Sequence, residues 1–124
     1  MKQNPKTMYQ LTLTEEEANL VSRACEFYAR VRMGQFGEIP WWCCANHCPE
    51  DPDATDAAWL ELRKHIYPDL HGVGHSYGMG KFEDADKAFD IHQVIRYTLG
   101  DSREPFSYNK LPACKRITIV EENK

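Results

Sequence analysis

Tyr9-Gln10-Leu11-Thr12-Leu13-Thr14-Glu15-Glu16-Glu17 carries two structural signals back to back. From Tyr9 to Leu13, apolar and polar side chains of β-favouring types alternate, the period-2 pattern of a half-buried strand. At Thr14 the period changes. A threonine followed three residues later by Glu17 is a capping box. Its hydroxyl accepts from the third amide of a helix while the carboxylate reaches back, and Glu15, Glu16 and Glu17 face the positive end of the helix dipole. A similar β-branched alternation, Arg116-Ile117-Thr118-Ile119-Val120, lies near the other end of the chain. Two such runs are expected to pair antiparallel and bring the termini together.

Helical periodicity dominates between them. The helix that starts at Thr14 places Val21, Ala24, Cys25, Tyr28 and Val31 on one apolar face and is expected to stop near Gly34, with Arg23 and Arg30 on one polar side. Asp53 or Thr55 caps a second helix carrying Ala58, Trp59, Leu62 and Ile66, which ends before Pro68. A third begins at Glu83-Asp84 and runs through Ala88, Ile91, Val94, Ile95 and Leu99 to Gly100, placed where a C′ glycine belongs. Asp101 to Pro112 reads as a surface loop. The expected fold class is α+β, one domain over residues 1–124, with three main helices and a short antiparallel pairing of the terminal strands.

At 124 residues the chain is long enough for one modest core. Its 15 basic and 19 acidic residues give a net charge of −4, with no Lys/Arg run that would neutralise a phosphate backbone, so no nucleic-acid partner is expected. No apolar stretch follows Met1 to Lys6 and no long apolar run occurs, which points to a cytoplasmic protein with no membrane partner. An odd count of five cysteines in such a chain argues for reduced thiols rather than a disulfide framework.

A polar site is suggested by His71-Gly72-Val73-Gly74-His75-Ser76-Tyr77-Gly78-Met79-Gly80, which feeds into the last helix. Glycine is worth its entropic cost where φ must be positive or where backbone must approach something closely. Beside the loop, Asp90, Gln93 and Arg96 advance by threes along the helix, opposite its apolar residues. They read either as a solvated face or as an acceptor, an amide and a planar fork that orient a small ligand. Ser76 and Tyr77 from the loop, and Arg23 and Arg30 from the first helix, complete the candidate ligand-binding set.

Cys43, Cys44, His47 and Cys48 have spacings that zinc accepts, but a closed site needs a further ligand from His65, His71, His75 or Cys114. The favoured reading packs these thiols as small hydrophobes against Trp41 and Trp42, with no structural zinc. Gly72 and Gly74 argue against a helical His71/His75 chelate, and His92 reads as a packed, hydrogen-bonded histidine. No nucleophile elbow and no Walker or dinucleotide glycine loop occurs, so neither an enzyme nor a cofactor is expected.

Leu13 to Ala24, Phe27-Tyr28-Ala29-Arg30 and Met33-Gly34-Gln35-Phe36 resemble a family of small proteins encoded by phages and prophages of Gram-positive gut bacteria. So do Ser76-Tyr77-Gly78-Met79, Asp84-Ala85 and Ala88 to Tyr97; together these cover roughly half of the chain in order. The resemblance implies a counter-defence protein that sequesters a small anionic nucleotide-derived immune signal, such as a cyclic nucleotide or a cyclic ADP-ribose-like molecule. Such a ligand wants Arg for phosphate, an aromatic ring for stacking and loop amides. The alternative in the same context is inhibition of a host defence protein by direct contact. Trp41, Trp42, Trp59 and Phe36 are a large aromatic load for the length, so a homo-oligomer is expected, with Trp41 to Cys48 near its interface or covering the core.

Overall fold

The computed structural model describes residues 7–44, 48–100 and 117–120. These contain four helices in the order α1 (Glu15–Arg32), α2 (Glu38–Cys43), α3 (Pro52–Ile66) and α4 (Glu83–Thr98), and no strand among the described residues. The α+β expectation is therefore corrected: this part of the protein is all helical. Residues 7–14 are non-helical and largely exposed, with Tyr9 at 93% of its full accessibility, and Leu11, Ile119 and Val120 are similarly open. Alternation alone does not make a strand. Without a partner ladder, and with the apolar face in water, nothing offsets the entropy of ordering a sheet. Arg116, the first residue of the other strand segment, and the loop 101–112 lie outside the described residues.

Helices α1 and α3 begin on side-chain caps, and α1 and α4 are each followed by a positive-φ glycine. Thr14 Oγ1 accepts from the Glu17 N–H at 3.1 Å while Thr14 N–H donates to Glu17 Oε1 at 2.9 Å, the reciprocal capping box. At the other end of α1 the Gly34 N–H bonds to Val31 O and the Gln35 N–H to Arg30 O, both at 2.9 Å, a Schellman closure with Gly34 at φ +92°. Gly34 is required twice over, since a Cβ there would sit 2.4 Å from Leu70 Cδ1. Helix α3 starts earlier than expected, because Asp51 accepts from the Ala54 N–H and Pro52 occupies the first turn, where its missing N–H is harmless. Helix α4 ends at Thr98, with Leu99 as its C-cap and Gly100 following at φ +114°.

Helices α1 and α4 pack antiparallel, with Ser22 against His92 and Tyr28 and Arg32 against Asp84. The contact is built on small residues. Ala29 and Ala85 are fully buried and form a core cluster with Met33, onto which Tyr77, Met79, Phe82, Ala88 and Phe89 pack. The face α1 turns inward is thus Ser22, Ala29 and Met33, not the stripe through Ala24 and Tyr28, both of which are exposed. Helix α2 lies on a second face of α1, where Phe27 meets Trp42 edge-on at 5.9 Å. Helix α3 docks through Trp59 and Arg63 on the Gly34–Gly37 turn. The loop after α3 is tied back by Tyr77 N–H to Met33 O at 2.8 Å and by the buried Asp86, which accepts the Gly80 N–H at 3.0 Å.

Candidate functional site

At the start of α4 an open cleft of about 410 Å³ is lined by Arg32, Lys81, Phe82, Glu83, Asp84 and Lys87. The Arg32 guanidinium lies 3.8 Å above the Phe82 ring, a stacked cation–π pair. It is held there by Nε to Asp84 Oδ2 at 3.2 Å and by Nη1 to the Tyr67 hydroxyl at 2.8 Å, which in turn donates to Arg32 O. Lys81 Nζ sits 5.1 Å from the Tyr77 centroid and 6.0 Å from that of Phe82. Lys87 pairs with Glu83 at 3.0 Å. Both lining carboxylates thus have a cation beside them, and Lys81 is the third positive charge on the wall.

Behind the cleft, Tyr67, Tyr77 and Phe82 pack edge-on or tilted at 5.3 to 6.1 Å. Two phenol–carboxylate bonds brace this wall: Tyr28 to Asp84, and Tyr77 to Asp69 at 2.5 Å. Donation to Asp69 pushes the Tyr77 phenol up to about 12 and holds the Asp69 carboxyl below its ordinary range. A folded-state pKa above the unfolded one means the bond contributes while the phenol is protonated and is lost as pH climbs through the raised value. Phenolate absorbance should therefore show Tyr77 titrating late, as Tyr28 also does through its bond to Asp84, and Asp69→Asn should shift the Tyr77 phase down; an unchanged titration would mean the bond is absent in solution.

The ligand-binding residues expected from sequence do not converge on one surface. Tyr77 joins the wall behind the cleft, and Ser76 beside it is half-buried. Arg23 is exposed on α1, 5.6 Å over Trp42. Arg30 bonds Glu26 at 2.9 Å and Gln35 at 3.1 Å, with Glu38 at 3.8 Å. Asp90 is 1% accessible, Gln93 is also buried and Arg96 is half-buried. All three are engaged in interactions, so the stripe is neither a solvated face nor an open ligand wall.

Arg96 Nη1 lies 3.3 Å from His92 Nε2, and His92 Nδ1 lies 2.8 Å from Ser22 Oγ and 3.1 Å from Ser22 O. Glu26 Oε1, 3.7 Å from Nε2, completes a set with the composition of a Ser-His-acid triad. It is a structural clasp instead: Ser22 and His92 are buried, and the serine hydroxyl donates to His92 O at 3.1 Å. A nucleophile without access to substrate has nothing to attack.

The cysteine segment also departs from expectation. Helix α2 ends at Cys43, which is exposed, as are Cys48 and Trp41, the last at 67%. These thiols are not packed as small hydrophobes. Cys44 is half-buried; His47 and Cys114 lie outside the described residues. Among the described residues no group of three or more His, Cys, Asp or Glu is placed to hold a metal ion, and no helix is long and apolar enough to cross a membrane.

No family model, curated protein or solved structure matches this chain. The site must be read from its own chemistry. Arg32, Lys81, Phe82 and Lys87 escaped the sequence reading because they meet only when α1 and α4 pack. Arg63 did leave a signal: it follows Trp59 by four residues, an arginine on the inward stripe of α3.

Proposed function

We propose that the protein binds a small anionic, nucleotide-derived ligand in the cleft at the start of α4 and holds it without turnover. The observation that carries this reading is the stacked Arg32–Phe82 pair flanked by Lys81 and Lys87. An acidic chain concentrates three cations beside an aromatic ring, the combination that suits phosphate oxygens attached to a flat base. The resemblance to phage and prophage proteins supplies the context: sequestration of an immune signal such as a cyclic nucleotide or cyclic ADP-ribose isomer, in the cytoplasm of an infected or lysogenic host, by a homo-oligomer.

A second reading, direct contact with a host defence protein, is favoured by the apolar groups left in water. Trp41 is exposed, and Leu62 and Ile66 stand one turn apart on the outer side of α3.

Melting the purified protein with a panel of cyclic nucleotides and cyclic ADP-ribose isomers separates the two. A ligand present at about a hundred times its Kd adds roughly 2.7 kcal/mol, a rise of several degrees. Heating should then release it unchanged, and Lys81→Glu, at an exposed position, should abolish the rise while leaving the unliganded melt in place. No rise with any member would sink the ligand reading in favour of the contact one; recovery of an altered product would mean an enzyme.

A further inference from the structure

The turn His71-Gly72-Val73-Gly74-His75 is built around a buried cation. Arg63 is 2% accessible, and its Nη1 donates to His75 O at 2.7 Å and to Gly34 O at 3.4 Å, while Nη2 donates to Gly72 O. No carboxylate lies within ion-pair distance of it among the described residues, and its Nε has no partner there. The guanidinium charge is met by the Trp59 ring, 5.3 Å from its centroid, and by carbonyl dipoles, two of them drawn from this turn.

That arrangement ties down two of the turn's carbonyls, those of Gly72 and His75, and leaves its middle amides open. The His75 N–H closes on Gly72 O at 3.4 Å, while the amides of Gly72, Val73 and Gly74 have no hydrogen-bond partner among the described residues. His75 Nδ1 accepts the His71 N–H at 2.9 Å, so the neutral imidazole carries its proton on Nε2, a further donor. The His71 ring stacks on it at 6.4 Å. Asp69, the carboxylate that faces His71, is engaged by the Tyr77 hydroxyl.

Glycine at position 74 is not explained by the fold. Gly72 has φ +82°, but Gly74 has no positive φ, and a Cβ on either would meet nothing within 4 Å. The missing Cβ gives an approaching group closer access to the free amides.

We propose that this turn is an anion-receiving site for inorganic phosphate or a phosphomonoester, separate from the cleft and not dependent on it. The Val73 and Gly74 amides and His75 Nε2–H supply the hydrogen bonds, and the Arg63 charge lies behind them.

Amide NMR with inorganic phosphate, against chloride at equal ionic strength, tests it. Phosphate should move the Gly72 to His75 amides saturably, and chloride should not. Gly74→Ala points its methyl into open space, so the fold should persist while phosphate binding weakens. Val73→Pro removes one donor at a turn position that accepts proline and should weaken binding roughly tenfold. Lys81→Glu in the cleft should leave the turn's response intact. Equal movement by chloride, response confined to the cleft residues, or unweakened binding in both turn variants would overturn the assignment.

Discussion

Arg63→Met should destabilise the protein by roughly 2–4 kcal/mol and release the loop that follows α3. Methionine fills much of the space, so the loss is not chiefly a cavity. What disappears is a charged fork serving three backbone carbonyls, those of Gly34, Gly72 and His75. Replacing a whole buried ion pair by apolar groups is often harmless, but here the partners are main-chain groups that no substitution removes. Gly72 and His75 can turn to water once freed, since that loop is exposed; Gly34 is buried. The Arg63→Lys variant keeps the charge without the fork and should fall between. Chemical denaturation gives the stability change, and hydrogen exchange at residues 71 to 80 reports the loop. A variant that melts with wild type and protects those amides equally would show that Arg63 does not organise the loop.

The contrast between legible and illegible parts follows from the range of each interaction. Caps are local: Thr14 with Glu17, and the closing glycines Gly34 and Gly100, are written within a few residues of each other, and the long helices end where these signals place them. Asp51-Pro52 is equally local, but Asp53 and Thr55 offer the same kind of cap a few residues on, and the sequence does not decide among them. Which face of a helix is buried is not local. The inward side of α1 centres on Ser22, Ala29 and Met33 because α4 presents Ala85 and His92 to it, and the hydrophobicity of α1 alone favours a different stripe. The same failure hid the polar residues of α4. The spacing of Asp90 and Gln93 places them opposite the core, yet they are buried while Ile91 faces outward. The cleft was least legible of all, because Arg32 and Phe82 are separated by fifty positions of sequence and meet through tertiary packing.

Acidification should weaken the protein earlier than its carboxylates can account for, through His92. Arg96 can only donate, so His92 Nε2 accepts; the ring proton then resides on Nδ1 and faces Ser22. This neutral tautomer satisfies both nitrogens. Burial pushes the His92 pKa below its ordinary value, and the charges of Arg96 and Arg30 push the same way, while Glu26 pulls upward and does not prevail. In the unfolded chain the ring returns to about 6.5. Between the depressed folded value and 6.5 the unfolded state binds more protons, so stability rises with pH across that window and is lost as pH falls through it. The carboxyls of Asp69 and Asp84 are held below their usual range by the Tyr77 and Tyr28 hydroxyls, so their contribution fades only at still lower pH. Melting should therefore drop as pH falls from about 7.5 through 6.5, ahead of the carboxylate phase. His92→Leu should lower stability at neutral pH by roughly 1–3 kcal/mol, because it takes an acceptor from Arg96 and a partner from Ser22, and should flatten the slope in that window. Glu26→Gln, which removes a carboxylate 3.7 Å from Nε2, should steepen it. If wild type and His92→Leu lose stability in parallel over the window, the clasp between α1 and α4 is not what titrates there.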